Sequence, residues 1–442
     1  MPRRTLSELY VIMLAVGMVV GAGIFKSPAY VAAEAGSVWA LYLAWCLGGL
    51  ISLIGALCYA ELCSAFPNAG GDYHFLTRAW GRTFGFLFAW ARFAVINTGS
   101  IALLGFVIGD YLNPVINLGP HGAAIWAFVS VLAITLFNLR GKGRGLGADY
   151  AITVLEVLGL LVLALAAIVL VVNAVPPQTT SVDAPPSLAG LGYAMVFVLL
   201  AFGGWTEMAT LSAEVKDARM GMVRALVISI LVITALFLLT NWALLRGLGL
   251  QGLAASQAPA ADLMRAAFGP VAGAVLSVAV AAAAITSVNA TIVVGARTTY
   301  AASRDRLAAS PVFAAMGRWD EARQIPAGAI FWQGAVSLGL VLFGALYEGF
   351  STLVDYTAPV YWLFITGSAL AVLRLRQLEP DVPRPFKVPL YPVLPLLFVA
   401  VSGLMIWSGV SYVGSGIWLS AAVMGTGLLL ALLTRLPGAG RG

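Results

Sequence analysis

Charge is scarce in this 442-residue chain: Asp, Glu, Lys and Arg make up 10% of it, against about 25% in ordinary water-soluble domains. A chain so poor in charge cannot dress a surface for water, so a soluble globular protein is excluded. Histidine is almost missing, with 2 residues, His74 in the loop after the second apolar run and His121 in a later loop. That leaves no metal-ligand cluster and no His-dependent catalytic constellation, and an intramembrane enzyme is disfavoured on the same ground. The 3 cysteines, Cys46, Cys58 and Cys63, fall within one apolar run without a CxxC spacing. They read as small buried hydrophobes, and with no cysteine in an outer loop no disulfide-linked accessory subunit is expected. Neither a GxxxxGK(S/T) loop nor a strand-linked GxGxxG occurs, so no cofactor and no ATP-driven step within the chain is expected.

Apolar residues, by contrast, make up 61% of the chain, with 48 glycines and a mean hydropathy of +0.94. Runs long enough to cross a bilayer, about 20 residues each, occur at Leu9 to Ala33, Gly36 to Phe66, Phe84 to Leu112, Gly122 to Leu139, Ala148 to Val175 and Leu188 to Ala213. Six more follow at Met222 to Leu245, Gly269 to Ala302, Ala327 to Tyr347, Thr352 to Leu373, Val388 to Ser408 and Val413 to Leu433. The expectation is an all-α integral membrane protein of twelve spans forming one transmembrane domain, 1–442.

The formal charge is +6, but the basic residues flank the apolar runs, so retention of positive loops on one side of a membrane explains it better than a nucleic-acid partner. With the amino terminus inside, Arg3, Arg4, Arg78, Arg82, Arg140, Arg374, Arg376, Arg384 and Arg435 fall on the cytoplasmic side with most other basic residues, while Arg246 and Arg265 fall outside. Both termini are therefore expected in the cytoplasm. The first apolar run is too long, and lacks a small-x-small exit, for a cleaved signal peptide.

Two of the spans carry helix-breaking punctuation at mid-depth. The first contains Gly21-Ala22-Gly23-Ile24-Phe25-Lys26-Ser27-Pro28, where Ser27 and Pro28 suit the cap and first turn of a restarted helix. The sixth contains Phe202-Gly203-Gly204-Trp205-Thr206-Glu207, with Thr206 as the expected cap. Backbone freed at this depth must line a cavity or be buried in protein. Half-helix amino termini then offer N–H groups to an anion and half-helix carboxyl termini offer carbonyls to a cation. A zwitterion with adjacent carboxylate and ammonium matches both. Glycines at one break alone could equally serve close helix packing; two breaks five spans apart favour a binding role.

Five segments in order carry a family resemblance: GAGIF at Gly21 to Phe25, YAELCSAFPNAGGDYHFL from Tyr59 to Leu76, FGGW at Phe202 to Trp205 followed by AEVKDARM, SVNATIVVGARTTYAASRD from Ser287 to Asp305, and RPFKVPLYPVLP from Arg384 to Pro395. The chain resembles the amino acid/polyamine/organocation family, in the manner of a bacterial L-amino-acid transporter, over essentially its whole length. The resemblance implies a LeuT-type fold: two inverted five-span repeats, 9–175 and 188–373, plus two further spans within 388–433, working by alternating access in a bacterial cytoplasmic membrane. It implies N–H bonds from Ala22 and Gly23, within Gly21 to Ile24, to a substrate carboxylate. It likewise implies carbonyls of Val19, Leu200 and Gly203 facing the substrate amine, with Phe202 and Trp205 beside the substrate side chain.

Ionisable groups within spans each require a partner or a task. Glu156 lies in the fifth span, about 12 Å from its cytoplasmic end at the helical rise, where relatives carry a lysine standing in for a sodium ion. Taking a carboxyl out of water favours its neutral form, so Glu156 is the candidate carrier of a coupling proton, with Ser287 as neighbour. A static pair with Arg92 or a share in holding Na⁺ are the alternatives. Lys26 and Glu207 sit just past the two breaks and could pair across the site, or remain separate, with Lys26 reaching the outer interface. Glu61 and Arg297 are expected to pair near the cytoplasmic side, and Asp355 to reach outer water. The expected function is a secondary active transporter or exchanger for neutral L-amino acids. A cationic amino acid or polyamine remains open through Glu207, and a channel is disfavoured by the absence of a repeated charged ring or carbonyl filter.

Overall fold

The computed structural model describes residues 7–21, 23–68, 70–141, 147–177, 187–212, 215, 220–304, 311–412 and 416–433. Among them the fold is helical throughout, with one isolated antiparallel bridge between Asp320 and Ile325. In chain order the helices are α1 (Glu8–Val19), α2 (Gly23–Ala35), α3 (Val38–Ala65), α4 (Asp72–Trp80), α5 (Arg82–Ala91), α6 (Thr98–Leu112), α7 (Gly122–Leu139), α8 (Gly147–Val172) and α9 (Leu188–Ala201). Then come α10 (Gly221–Ala255), α11 (Pro259–Phe268), α12 (Pro270–Arg304), α13 (Pro311–Met316), α14 (Ala327–Ala345), α15 (Phe350–Leu378), α16 (Val393–Tyr412) and α17 (Gly416–Leu433). A π-helical segment, Arg92–Asn97, joins α5 to α6, and a 3₁₀ segment, Trp205–Leu211, follows α9.

Among the described residues ten helical segments are long and apolar enough to cross a membrane, and up to eleven if α1 and α2 are one span bent by 49°. The twelfth expected span corresponds to α17, whose apolar stretch Trp418–Leu432 falls short of a full crossing length. Edges shift where helices outrun their apolar runs. α15 extends to Leu378 through Arg374 and Arg376, whereas α16 starts at Val393 because the proline-rich stretch before it cannot donate a full ladder.

Helix starts follow local chemistry. The Ser7, Ser37 and Ser187 hydroxyls accept N–H bonds from Tyr10, Ala40 and Gly190, capping α1, α3 and α9. Two short helices fall in expected loops. α4 carries His74, and α11 begins at Pro259, has Asp262 in its first turn and ends before Gly269 at φ 87°. Cys58 and Cys63 are buried as expected, but Cys46 on α3 is exposed. The face where α1 begins is called near, and that where α2 ends, far.

α2 packs on α9, α10 packs on both α1 and α2, α8 packs on α1, and α3 and α16 pack on α9, so these helices enclose the two interrupted spans. On the near face Glu61 does not meet Arg297. Its buried carboxylate accepts from Arg376 at 2.7 and 2.6 Å and from the Val388 backbone N–H at 2.7 Å, with Arg384 at 3.6 Å. The chain segment before α16 is thereby tied down, and Arg376 stacks 3.8 Å over Tyr391.

Candidate functional site: a cavity between two interrupted helices

The interruption in the first span runs between Val19 and Gly23, with Ala22 outside the described residues. α2 starts at Gly23, so Ser27 and Pro28 lie inside it rather than at its start. The sixth span turns at Phe202–Gly204 and resumes as 3₁₀ helix from Trp205, with Gly204 at φ 107° in the cap position expected for Thr206. The two interruptions touch: a Cβ on Gly204 would come within 2.7 Å of the Met18 carbonyl oxygen. Only a residue without a side chain fits that backbone angle and that approach.

Between these ends lies a cavity of about 440 Å³, within the size range of small-molecule sites. Val19, Gly21, Gly23, Leu200 and Gly203 line it, with Arg92, Glu156, Glu207 and Ser287. Among the described residues the last intrahelical bond of α1 runs from the Val20 N–H to the Val16 carbonyl, at 2.7 Å, and no described residue gives the carbonyls that follow a helical donor. The first N–H groups of α2, from Gly23 on, likewise lack helical acceptors. The Leu200 carbonyl already accepts the Gly203 N–H at 2.9 Å, which leaves it one lone pair. A Cβ on Gly21 would stand 3.5 Å from the Ser287 hydroxyl, so the eighth span abuts the first interruption directly.

Phe202 and Trp205 do not take their expected places beside the cavity. Phe202 packs against Trp45 and Phe237, ring centroids 6.1 and 5.0 Å away, and Trp205 packs edge-on against Tyr59 at 5.1 Å. Ile24 is also fully buried away from it. The side wall is built instead by Ile96, Ser100, Leu103 and Leu104 from the third span and Thr357, Ala358 and Trp362 from α15. Their signal in the sequence is single hydroxyl and amide residues recurring at helical spacing in apolar runs, as in Asn97-Ser100 and Thr286-Ser287-Thr291.

The charges sort differently from expectation. Lys26 and Glu207 do not meet; each pairs with the third span. Lys26 Nζ lies 2.7 Å from Asp110 and donates to the Gln257 carbonyl and side-chain oxygen at 2.8 and 2.9 Å. Arg92 pairs with Glu207 at 2.7 Å, so the anticipated Arg92–Glu156 pair is absent. Glu156 is buried on the cavity wall, and its Oε2 has no hydrogen-bond partner among the described residues. Gly17 lets α1 press on Thr153, one turn from Glu156, where any Cβ would overlap the threonine hydroxyl.

Phe350 lines the cavity and stacks at 5.3 Å on Tyr30, which stacks in turn on Phe197 at 4.7 Å. Asp355, expected to reach outer water, is partly exposed. Toward the near face Asp72 on α4 accepts from the Ser368 hydroxyl at 2.9 Å behind the Arg92–Glu207 pair. Burial pushes its carboxyl up to about 6. Met18, at the end of α1, lines the cavity and is 41% exposed.

The geometry defines a helical membrane protein with a cavity between two interrupted helices, and comparison with known proteins gives its family. The amino acid permease family model matches residues 6–429, so the chain belongs to that family, a multi-pass membrane family of transporters. It is 28% identical to rabbit (Oryctolagus cuniculus) large neutral amino acids transporter small subunit 2 over 96% of this chain and 77% of that one. With the serine/threonine exchanger SteT of Bacillus subtilis it shares 25% identity over 90% of each chain. With the mouse (Mus musculus) b(0,+)-type amino acid transporter 1 it shares 26% over 88% and 79%.

Proposed function

We propose that this protein is a secondary active transporter or exchanger for neutral L-amino acids, working by alternating access around the cavity between the two interruptions. The observation that carries the reading is the contact of the two interruptions, which brings the free carbonyls of α1 and the free N–H groups of α2 to one 440 Å³ cavity. In this reading the carboxylate binds at Gly21 to Gly23 and the ammonium at the carbonyls of Val19, Leu200 and Gly203. The order of interruptions, in the first and sixth spans, supports two inverted five-span repeats with two spans added, in a LeuT-type arrangement. Basic loops support cytoplasmic termini in a bacterial cytoplasmic membrane.

The neutral class rests on a side wall of apolar and hydroxyl groups and on the engagement of Glu207, the group a cationic side chain would need, by Arg92. The name of the rabbit relative refers to large neutral amino acids, and that of SteT to serine and threonine. Glu156, which lines the same cavity as Ser287 and whose Oε2 has no hydrogen-bond partner among the described residues, is the group to carry a coupling proton. Sodium is the alternative ion.

Uptake by reconstituted vesicles, competed by a panel of unlabelled amino acids, tests the substrate class. Saturable uptake inhibited by neutral L-amino acids and accelerated by internal substrate is expected; inhibition by lysine or polyamines alone would overturn it. An imposed acid-outside gradient should stimulate uptake by the unaltered protein and not by Glu156→Gln. The same stimulation in the variant removes Glu156 from coupling, and stimulation by a sodium gradient alone assigns the ion as Na⁺.

A further inference from the structure

The Arg92–Glu207 pair is not needed to hold the zwitterion, which the backbone ends take. Yet it stands in the same cavity, on the wall formed by the third span and the resumed sixth. The two side chains are 11% and 27% exposed and meet at 2.7 Å, so neither is sealed from a ligand. Arg92 comes into this wall because the third span is π-helical from Arg92 to Asn97. The extra residue in that turn rotates the chain, and such turns recur at functional sites. Arg92 Nη2 also reaches Asn97 Oδ1 at 3.5 Å, and its Nε has no partner among the described residues. Asp72 lies behind, lining with Arg92 and Glu207 a pocket of about 20 Å³ rather than the main cavity. Glu156 lines the same cavity from α8.

We infer that Arg92 and Glu207 set the charge class of the substrate by neutralising each other on the cavity wall. The inference rests on the transporter reading and deepens it. A cationic side chain entering the cavity would have to displace Arg92 from Glu207, and an anionic one would have to displace Glu207 from Arg92. Each exchange trades one charge-assisted contact for another while adding a desolvated charge to the cavity, so both are rejected in favour of uncharged side chains. Removing one member leaves a fixed charge that recruits the complementary side chain.

The test is uptake of a labelled neutral amino acid in reconstituted vesicles, competed by lysine, aspartate and alanine. In Arg92→Gln, lysine should gain potency relative to alanine by about tenfold or more, and in Glu207→Gln aspartate should gain by a similar factor. The amide in each keeps a hydrogen bond to the remaining partner. In Arg92→Gln/Glu207→Gln, which buries no unpaired charge, the ratio of lysine to aspartate potency should return toward that of the unaltered protein whatever the rate. Opposite shifts in the two single variants, cancelled in the double, support the inference. Unshifted ratios in either single variant, or a double variant as skewed as one of the singles, overturn it. If the unaltered protein takes up no amino acid at all, it is the transporter reading that falls.

Discussion

Two ion pairs join the third span to the two resumed half-helices, and they are built for different conditions. Lys26 is the third residue after Gly23, and Glu207 the third after Gly204; their partners Asp110 and Arg92 lie about 27 Å apart along the third span at the helical rise. Lys26 is 1% exposed and Asp110 15%, and the lysine fills its remaining donor positions with Gln257. The Arg92–Glu207 pair faces the cavity and leaves Arg92 Nε without a partner among the described residues. The helix dipole explains part of the contrast. A cation in the opening turn of α2 is in the unfavourable place, so Lys26 needs a carboxylate and carbonyls around it, whereas Glu207 at the start of its segment is favoured before any partner arrives. The far pair is thus enclosed by its own partners, with Lys26 Nζ 5.8 Å from the centre of the Tyr30 ring. The near pair, in the proposed reading, remains accessible to substrate.

The largest expected effect breaks the far pair. Lys26→Met strands the Asp110 carboxylate in a dry setting and should cost on the order of 3–5 kcal/mol, read as a fall in the unfolding temperature of the detergent-solubilised protein. Lys26→Met/Asp110→Asn should recover most of that loss, and a double variant no more stable than the single would deny the pairing. Glu207→Gln should cost less, about 1–2 kcal/mol, because the cavity solvates what remains; a loss as large as that of Lys26→Met would erase the contrast between the two pairs.

Asp72, behind the near pair, sharpens the comparison by pH. Its carboxyl is raised in the folded protein to about 6 from an ordinary value of 3.8. The folded state therefore binds the proton more tightly than the unfolded one. The resulting stabilisation is fully present below pH 3.8 and is lost as pH rises through about 6. Unfolding temperature should carry that component in the unaltered protein and lack it in Asp72→Asn. The smallest effect belongs to the exposed Arg78–Glu379 pair on the near face, at 2.6 Å. Arg78→Gln should cost no more than about 1 kcal/mol, and less in high salt.

Most spans were legible because apolar length alone selects them, and the interruptions because glycines stand where the runs should continue. Pairing of charges was not legible. Lys26 meets Asp110 and Gln257 across 84 and 231 residues, and nothing local distinguishes those partners from Glu207. Arg92 reaches the cavity through a π-helical turn, and a 3.6-residue period cannot foresee the rotation that turn introduces. The same limit misplaced Phe202 and Trp205. They flank a turn and a 3₁₀ segment, so their directions depend on Gly204 and on the room left by Trp45, Phe237 and Tyr59. α11, in contrast, carried its own signals in Pro259, Asp262 and Gly269.

The most direct measurement is a cryo-electron-microscopy map of the protein in lipid nanodiscs with a neutral L-amino acid in excess. Ligand density is expected between the end of α1, Gly23 and the end of α9, with its carboxylate toward Gly23 and its ammonium toward Val19 and Gly203. A map in which the first and sixth spans run unbroken past Gly23 and Gly204, or in which the amino acid binds elsewhere, would contradict it.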